Sequence, residues 1–277
     1  MTVKVDHATL AAPTLTQMEQ AFTNLGLKPA YGGPHSNQVT HMSLLGFEDG
    51  SYLELISTLE AGQSSPSWGQ AISGNAGPCA WALAVNDIQG EAKRIAAAGI
   101  KVEGPNAMNR KRPDGQLVRW ELAYLGDKAP GATLPFLIQD KTPRTLRVEP
   151  SPALAEKGLT GIARVILGVK NLDNGIDLFK RAFGWPDPTR SEDRLFGAFL
   201  AHFADTPVVL AAPAGSNWLA ERLQRFGDSP CAFLLKTPNL KAATATFGLT
   251  KETSWLGHHL SWFDPAKVNG ARLGCIE

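Results

Sequence analysis

Apolar and polar positions follow the same order four times along the chain. Each time, a strand-like apolar run precedes about three turns of helical spacing that end beside a glycine. In the first repeat, the helical positions are Leu15, Met18, Phe22 and Leu25. Gly26 follows them and is typical of a helix end. The other three repeats are CAWALAV with NDIQGEAKRIAAAG, IARVILGV with KNLDNGIDLFKRAFG, and CAFLLK with TPNLKAATATFG.

Further strand-like segments come after each helix. In the first repeat these are QVTHMSLLGF and SYLELIS, joined by the turn-forming residues Glu48, Asp49 and Gly50. The repeated unit is therefore strand, helix and then two or three strands, written βαβββ. One helix covers only one face of so small a sheet, so the other face must be buried by a second unit or by a ligand. The predicted fold class is α+β: four βαβββ modules paired into two domains, each with a half-barrel cleft.

A proline-containing segment, DKTPRTLRVEPSPALAEKG, separates the second repeat from the third and shows little apolar periodicity. We expect a first domain over residues 1–145, a linker over 146–158 and a second domain over 159–277. Paired half-sheets form a cleft lined by strand residues, which is a natural site for a small molecule.

The composition narrows the class of partner. Lys and Arg total 27 against 26 Asp and Glu, which gives no support for a nucleic-acid or anionic-membrane partner. No apolar stretch has the roughly 18 residues that span a bilayer, and residues 1–6 contain no apolar signal region, so we expect a cytoplasmic protein that binds a small molecule. The three cysteines contain no Cys-x-x-Cys pair, which argues against disulfides or a thiolate zinc site. Modules could pair within one chain or between two, so a homo-oligomer is left open.

One carboxylate lies inside an apolar strand, in the run GSYLELI. Alternation along this strand places Glu54 on the face of Tyr52 and Ile56, opposite Leu53 and Leu55. Burying a carboxylate without a partner costs several kcal/mol or neutralises it. A glutamate beside an Asp-Gly turn is also often solvent-facing, so the sequence leaves two readings of Glu54.

Four stretches together resemble a known family. They are Val5-Asp6-His7, Gly32-Gly33-Pro34-His35 followed by Thr40, the run DGSYLELI, and RPDG followed by RWELAY and LPFLI. This set resembles the vicinal oxygen chelate superfamily, and within it the glyoxalase-like domain proteins of the glyoxalase, bleomycin-resistance and dioxygenase fold.

The resemblance implies a metal site in the N-terminal cleft. In members that bind a metal, a histidine on the first strand and a glutamate on the last strand of a module coordinate a divalent ion, and His7 and Glu54 match those positions. Two ligands hold an ion only loosely, and His35 or His41 could supply the third. We predict His7, Glu54 and His35 as ligands of zinc, manganese, nickel, cobalt or iron. Glu54 and His41 are the candidate catalytic bases.

The later modules depart from this pattern. The second module has Ala80 at the position of His7 and offers only Gln139 on its closing strand. The first strand of the third module offers only Arg164, and its closing run PVVLAAP has no glutamate. Two functions therefore remain: a metal-dependent lyase or isomerase acting on a small oxygen-bearing substrate, or a metal-free small-molecule-binding protein similar to the drug-resistance members.

Four residues are predicted to bind the substrate. Arg110 or Arg112, in the basic stretch NRKRPDG, could hold a carboxylate through paired hydrogen bonds if this loop folds over the cleft. The alternative is a solvated hairpin tip. Trp120 is either a cleft wall or part of the core, and Tyr52 shares the face of Glu54.

Overall fold

All four predicted modules are present in a computed structural model, which describes residues 3–112 and 114–277. Each module is a strand, a helix and three strands, so the βαβββ prediction is confirmed. The first module consists of β1 (Lys4–Ala11), α1 (Leu15–Asn24), β2 (Ala30–Pro34), β3 (Thr40–Gly46) and β4 (Tyr52–Thr58). A short helix, α2 (Gly69–Ser73), leads to the second module: β5 (Gly77–Ala84), α3 (Ile88–Ala97), β6 (Val102–Lys111), β7 (Leu117–Leu125) and β8 (Phe136–Asp140).

The C-terminal half repeats this order. It begins after the short helices α4 (Arg144–Arg147) and α5 (Pro152–Glu156). The third module is β9 (Gly161–Gly168), α6 (Leu172–Phe183), β10 (Thr189–Asp193), β11 (Ala198–His202) and β12 (Val208–Pro213). After α7 (Trp218–Phe226), the fourth is β13 (Ser229–Lys236), α8 (Leu240–Phe247), β14 (Thr253–Trp255), β15 (His258–Trp262), a 3-10 helix (Pro265–Val268) and β16 (Leu273–Ile276).

The strands form two eight-stranded sheets, one for each pair of consecutive modules. Their orders are β2-β3-β4-β1-β5-β8-β7-β6 and β10-β11-β12-β9-β13-β16-β15-β14. Both sheets are curled half-barrels, and the predicted α+β fold class is confirmed. None of the helices in the described part of the chain is long and apolar enough to cross a bilayer.

By internal contacts, the chain divides into two compact units. One contains residues 7–79, 143–163 and 232–277, and the other contains the described residues up to Asp6 together with 80–142 and 164–231. The division into domains at 1–145 and 159–277 stays a prediction. The predicted linker, 146–158, carries the end of α4 and all of α5.

The local helix signals of the sequence are present as hydrogen bonds. The Asp87 side chain accepts from the backbone N–H of Gly90 at the start of α3, and Asn171 accepts from Asn174 at the start of α6. Gly184 ends α6 in the left-handed conformation that glycine adopts without strain. These caps fix where each helix begins and ends, and therefore which strand residues lie beneath it.

Helix α1 marks the outer face of the first module's sheet. Ser43 on β3 donates a hydrogen bond to Glu19 on α1, and Ser43 is the register partner of Leu55 on β4. Leu55 therefore faces the helix. Its neighbour Glu54 points to the opposite, concave face because side chains alternate along a strand.

Candidate functional site

Two adjacent parallel strands bring the first polar side chains together. The register of β1 with β4 pairs Thr9 with Glu54, and His7 with Tyr52. All four side chains therefore share the concave face. The Thr9 hydroxyl donates to Glu54 Oε2 at 3.1 Å, and His7 Nε2 lies 3.9 Å from the same oxygen.

His35 reaches the other oxygen of the same carboxylate. It lies in the turn after β2, and its backbone N–H donates to the carbonyl of Thr40 at 2.8 Å. From there, its Nε2 comes within 3.4 Å of Glu54 Oε1. We call His7, Thr9, His35 and Glu54 the polar site.

Electrostatics keep Glu54 charged although it is only 7% exposed. Burial raises the pKa of Glu54, but the hydrogen bond from His35, the nearby charges of His7 and His35 and the Thr9 hydroxyl together outweigh burial and lower the pKa to about 2. Of the two readings of Glu54, the structure therefore shows the buried one. Its partners in the structure are two imidazoles and a hydroxyl.

His41 does not reach the polar site. Its strand places it on the face of Ser43, which carries α1, and its Nδ1 lies 3.5 Å from the Tyr31 hydroxyl. Burial lowers the pKa of His41, and the charge of His35 acts in the same direction, while Glu19 and a backbone hydrogen bond raise it. The structure therefore places His41 on the opposite face of the sheet from Glu54, and its role as a catalytic base stays a prediction.

Tyr52 extends the polar site towards α4. Its ring stacks on His7 with centroids 4.7 Å apart. Arg147 donates to the Tyr52 hydroxyl at 2.9 Å, and the guanidinium carbons of Arg144 and Arg147 lie 5.7 and 5.6 Å from the ring centroid. Arg147 lies in the predicted linker and is only 5% exposed. It therefore holds Tyr52, which forms one wall of the polar site.

An aromatic side chain borders the polar site at His35. The Trp68 ring, just before α2, lies 5.9 Å from the imidazole of His35. The side chain of His35 is 19% exposed, against 4% for that of His7. His35 is therefore the more accessible of the two imidazoles.

Comparison with known proteins shows the family of this chain. The family described as glyoxalase-like domain matches residues 5–183, about two thirds of the chain. The chain belongs to the glyoxalase-like domain family. No protein of curated function matches the sequence.

Solved structures share the fold of this glyoxalase-like protein at low sequence identity. A hypothetical protein from Staphylococcus aureus superposes with a TM-score of 0.64 at 18% identity, covering 99% of this chain and 98% of that one. A triple mutant of 4-hydroxymandelate synthase from Streptomyces coelicolor gives 0.63 at 12% identity, covering 99% and 92%. Methylmalonyl-CoA epimerase from Mycobacterium tuberculosis covers 43% of this chain and 89% of its own, with a TM-score of 0.40 at 18% identity. The likeness to the first two structures concerns the fold alone.

The residue types in the polar site of the glyoxalase-like protein suit a metal ion, but their arrangement does not. Two imidazoles and a carboxylate are ligands that zinc, manganese, nickel, cobalt and iron accept. Here, however, both imidazole Nε2 atoms are directed at the carboxylate itself. Within residues 3–112 and 114–277, no group of three or more His, Cys, Asp or Glu side chains is arranged to hold an ion.

Neither Ala80 nor Gln139 of the second module supplies a ligand to the polar site. Ala80 is fully buried. Gln139 is engaged with the start of α3: its Nε2 donates to the carbonyl of Asn86, and its Oε1 accepts from the N–H of Ile88. Gln139 therefore acts as part of a helix N-terminus.

The three other predicted substrate residues belong to the compact unit that contains residues 80–142. Arg110 lies inside β6 opposite Val118, so the predicted loop NRKRPDG is partly strand. Arg112 pairs with Asp114 at 3.1 Å at the hairpin tip, where Pro113 lies outside the described residues. Trp120 is partly buried and packs against an apolar cluster, and its place as a cleft wall or as part of the core stays a prediction.

The sequence-based predictions did not include Thr9, a member of the polar site, or Arg147, which contacts Tyr52 beside it. Thr9 lies two positions after His7, so strand alternation alone places it on the same face. Arg147 left no such signal, because the segment around it has no periodicity and its contact with Tyr52 joins residues 95 positions apart.

Proposed function

We propose that the polar site binds a small oxygen-bearing molecule and catalyses a proton transfer on it, as a lyase or isomerase. One observation carries the proposal: two imidazoles and a hydroxyl converge on a buried, ionised carboxylate that the apolar strand around it does not require. Groups of perturbed pKa inside a concave face are typical of functional sites.

The proposed roles of Glu54 and of the two imidazoles follow from their acid-base chemistry. A carboxylate with a pKa of about 2 is a poor proton acceptor near neutral pH, so Glu54 serves to orient and charge-stabilise the imidazoles. Imidazole is the side chain that exchanges protons in this range. The proton removed from the bound molecule therefore goes to an imidazole, and returns to another atom in an isomerase or accompanies loss of a leaving group in a lyase.

A metal-free binding protein is the second candidate. The buried Ala80 and the helix-bound Gln139 favour it, because the second module supplies neither a ligand nor an acid at these positions. In this case the polar site would anchor a ligand through hydrogen bonds without turnover. The divalent ion at His7, His35 and Glu54 stays a prediction, as do a cytoplasmic location and a homo-oligomer.

The test combines ligand binding, metal content and turnover. Thermal-shift measurements with 2-oxo acids, 2-hydroxy acids and 1,2-diketones should give stabilisation of the wild type that Glu54→Gln abolishes. Glu252→Gln is the matched control, because Glu252 forms an exposed pair with His259. Proton exchange of the bound compound with deuterated water supports the enzyme, and binding without exchange supports the binding protein.

Metal analysis of untagged protein tests whether the activity depends on a metal ion. Stoichiometric metal that is lost in both His7→Ala and Glu54→Ala supports a metal-dependent enzyme. Stabilisation by no compound in the panel, with or without added zinc or manganese, contradicts the proposed function.

A further inference from the structure

A second layer of hydrogen bonds lies behind His35. Its Nδ1 is 2.8 Å from the Thr40 hydroxyl, and the side-chain amide nitrogen of Asn37 donates to the same hydroxyl at 3.1 Å. Thr40 is fully buried at the start of β3, whereas Asn37 is exposed in the turn between β2 and β3. Neither residue touches Glu54 directly in a hydrogen bond, so any influence on the site passes through His35.

The direction of the hydrogen bonds follows from the acceptors. The Asn37 carbonyl oxygen already accepts from the backbone N–H groups of Val39 at 2.9 Å and Thr40 at 3.1 Å. It lies 3.3 Å from the Thr40 hydroxyl, the longest of these contacts. Since the hydroxyl accepts from Asn37, its own proton is best directed at the shorter contact, His35 Nδ1.

We infer that Thr40 and Asn37 are positioning residues that hold neutral His35 with its proton on Nε2. An imidazole that accepts at Nδ1 must carry its proton on the other nitrogen. The proton then lies between His35 Nε2 and Glu54 Oε1, which matches their 3.4 Å contact with an ionised carboxylate. This inference rests on the proposed function only in what it says of the bound molecule.

The tautomer gives His35 a defined role. In the free protein its Nε2–H is directed at Glu54. A bound molecule that places an acceptor oxygen beside Glu54 shares this donor with the carboxylate; the oxygen is a carbonyl, a carboxylate or the oxyanion that develops as a neighbouring carbon loses a proton. His35 stabilises that oxygen by a hydrogen bond and transfers no proton. The proton acceptor is then the other imidazole, His7, whose Nε2 lies 3.9 Å from Glu54.

Long-range ¹H–¹⁵N correlation spectra of the uniformly labelled protein test the inference without any ligand. Six histidines give separate patterns, and loss of one pattern in His35→Gln assigns His35. Above neutral pH, the wild type should show His35 with a protonated Nε2. Thr40→Val should shift the population towards protonated Nδ1, and Thr40→Ser should restore the wild-type pattern.

Two further variants separate positioning from general disturbance. Asn37→Ala changes an exposed residue and should move the tautomer in the same direction as Thr40→Val, even if the buried substitution fails to fold. Thr58→Val removes the hydroxyl of the register partner of Thr40, which donates to the Glu60 carbonyl, and should leave His35 unchanged. A protonated Nδ1 in the wild type, or a pattern unaffected by both Thr40→Val and Asn37→Ala, overturns the inference.

The ligand panel keeps the two proposals apart. If the tautomer behaves as expected but no compound stabilises the protein, the hydrogen-bond relay stands and the proposed function fails. If compounds bind through Glu54 while His35 carries its proton on Nδ1, the function stands and the relay is wrong.

Discussion

The first and third modules build the same strand pair with opposite chemistry. His7 lies seven residues before the N-cap Thr14, and Arg164 lies seven residues before the N-cap Asn171. The register that pairs Thr9 with Glu54 in the first module pairs Ile166 with Val209 in the third.

The third module shows what the fold itself requires. Ile166 and Val209 are fully buried, and two apolar side chains satisfy this part of the sheet. The first module instead buries a carboxylate whose desolvation must be offset by three partners. This position of the fold therefore does not require a polar pair, and we attribute the presence of the polar site to function.

The largest loss of stability is expected when Glu54 is replaced by valine, the residue at the corresponding position of the third module. Glu54→Val should lower the free energy of unfolding by about 3 kcal/mol, because buried imidazoles and a hydroxyl lose their acceptor. Adding Thr9→Ile should recover about 1 kcal/mol, since the orphaned hydroxyl is then removed as well. Urea unfolding measures both.

The exposed pair of His259 with Glu252 at 2.7 Å provides the control for this substitution. Glu252→Ala should change the free energy of unfolding by less than about 0.5 kcal/mol. If Glu54→Val changed the free energy of unfolding as little as Glu252→Ala, the buried carboxylate would not be stabilised by its partners. The first module would then not differ from the third in this respect.

Acid should weaken the first module through Glu54. The folded pKa of about 2 lies below the ordinary value of 4.5, so the stabilisation is complete above a pH of about 4.5 and is lost as the pH falls towards 2. The loss amounts to about 3 kcal/mol if the full shift is realised. Unfolding free energies measured across this window should fall more steeply for the wild type than for Glu54→Gln; parallel curves would show that Glu54 titrates normally.

A smaller effect is expected at the wall of the site. Tyr52→Phe keeps the ring stacked on His7 but removes the acceptor of the Arg147 hydrogen bond, so it should cost about 1 kcal/mol. Tyr31→Phe is the control, since Tyr31 is 58% exposed and its hydroxyl is 3.5 Å from His41. Equal losses in the two variants would show that α4 does not brace the site.

The sequence predicted what depends on local pattern. Helical spacing and strand alternation located the four modules, and alternation placed Glu54 opposite Leu53 and Leu55. The family resemblance pointed to His7 and Glu54, and the need for a third ligand pointed to His35 or His41. The structure brings His7, His35 and Glu54 together. The resemblance also implied a metal among them, which remains a prediction.

What the sequence left open depends on long-range geometry. The contact of Arg147 with Tyr52 arises only after the segment beyond the second module folds back on the β3–β4 turn, where Ser151 donates its N–H to the Gly46 carbonyl. Alternation places His41 on one strand face with Ser43 and Leu45, but the sequence does not show which way that face points. The face of its strand, fixed by Ser43, decides its surroundings.

The proposed site depends on Glu54 being a buried carboxylate that His7, His35 and Thr9 hold ionised. A ¹³C NMR titration of the glutamate side-chain carboxyls, with Glu54 assigned by its absence in Glu54→Gln, measures the pKa of Glu54 directly. We expect a midpoint at about pH 2. A midpoint at or above the ordinary value for glutamate would contradict it, because the carboxylate would then lack the partners on which the proposed site depends.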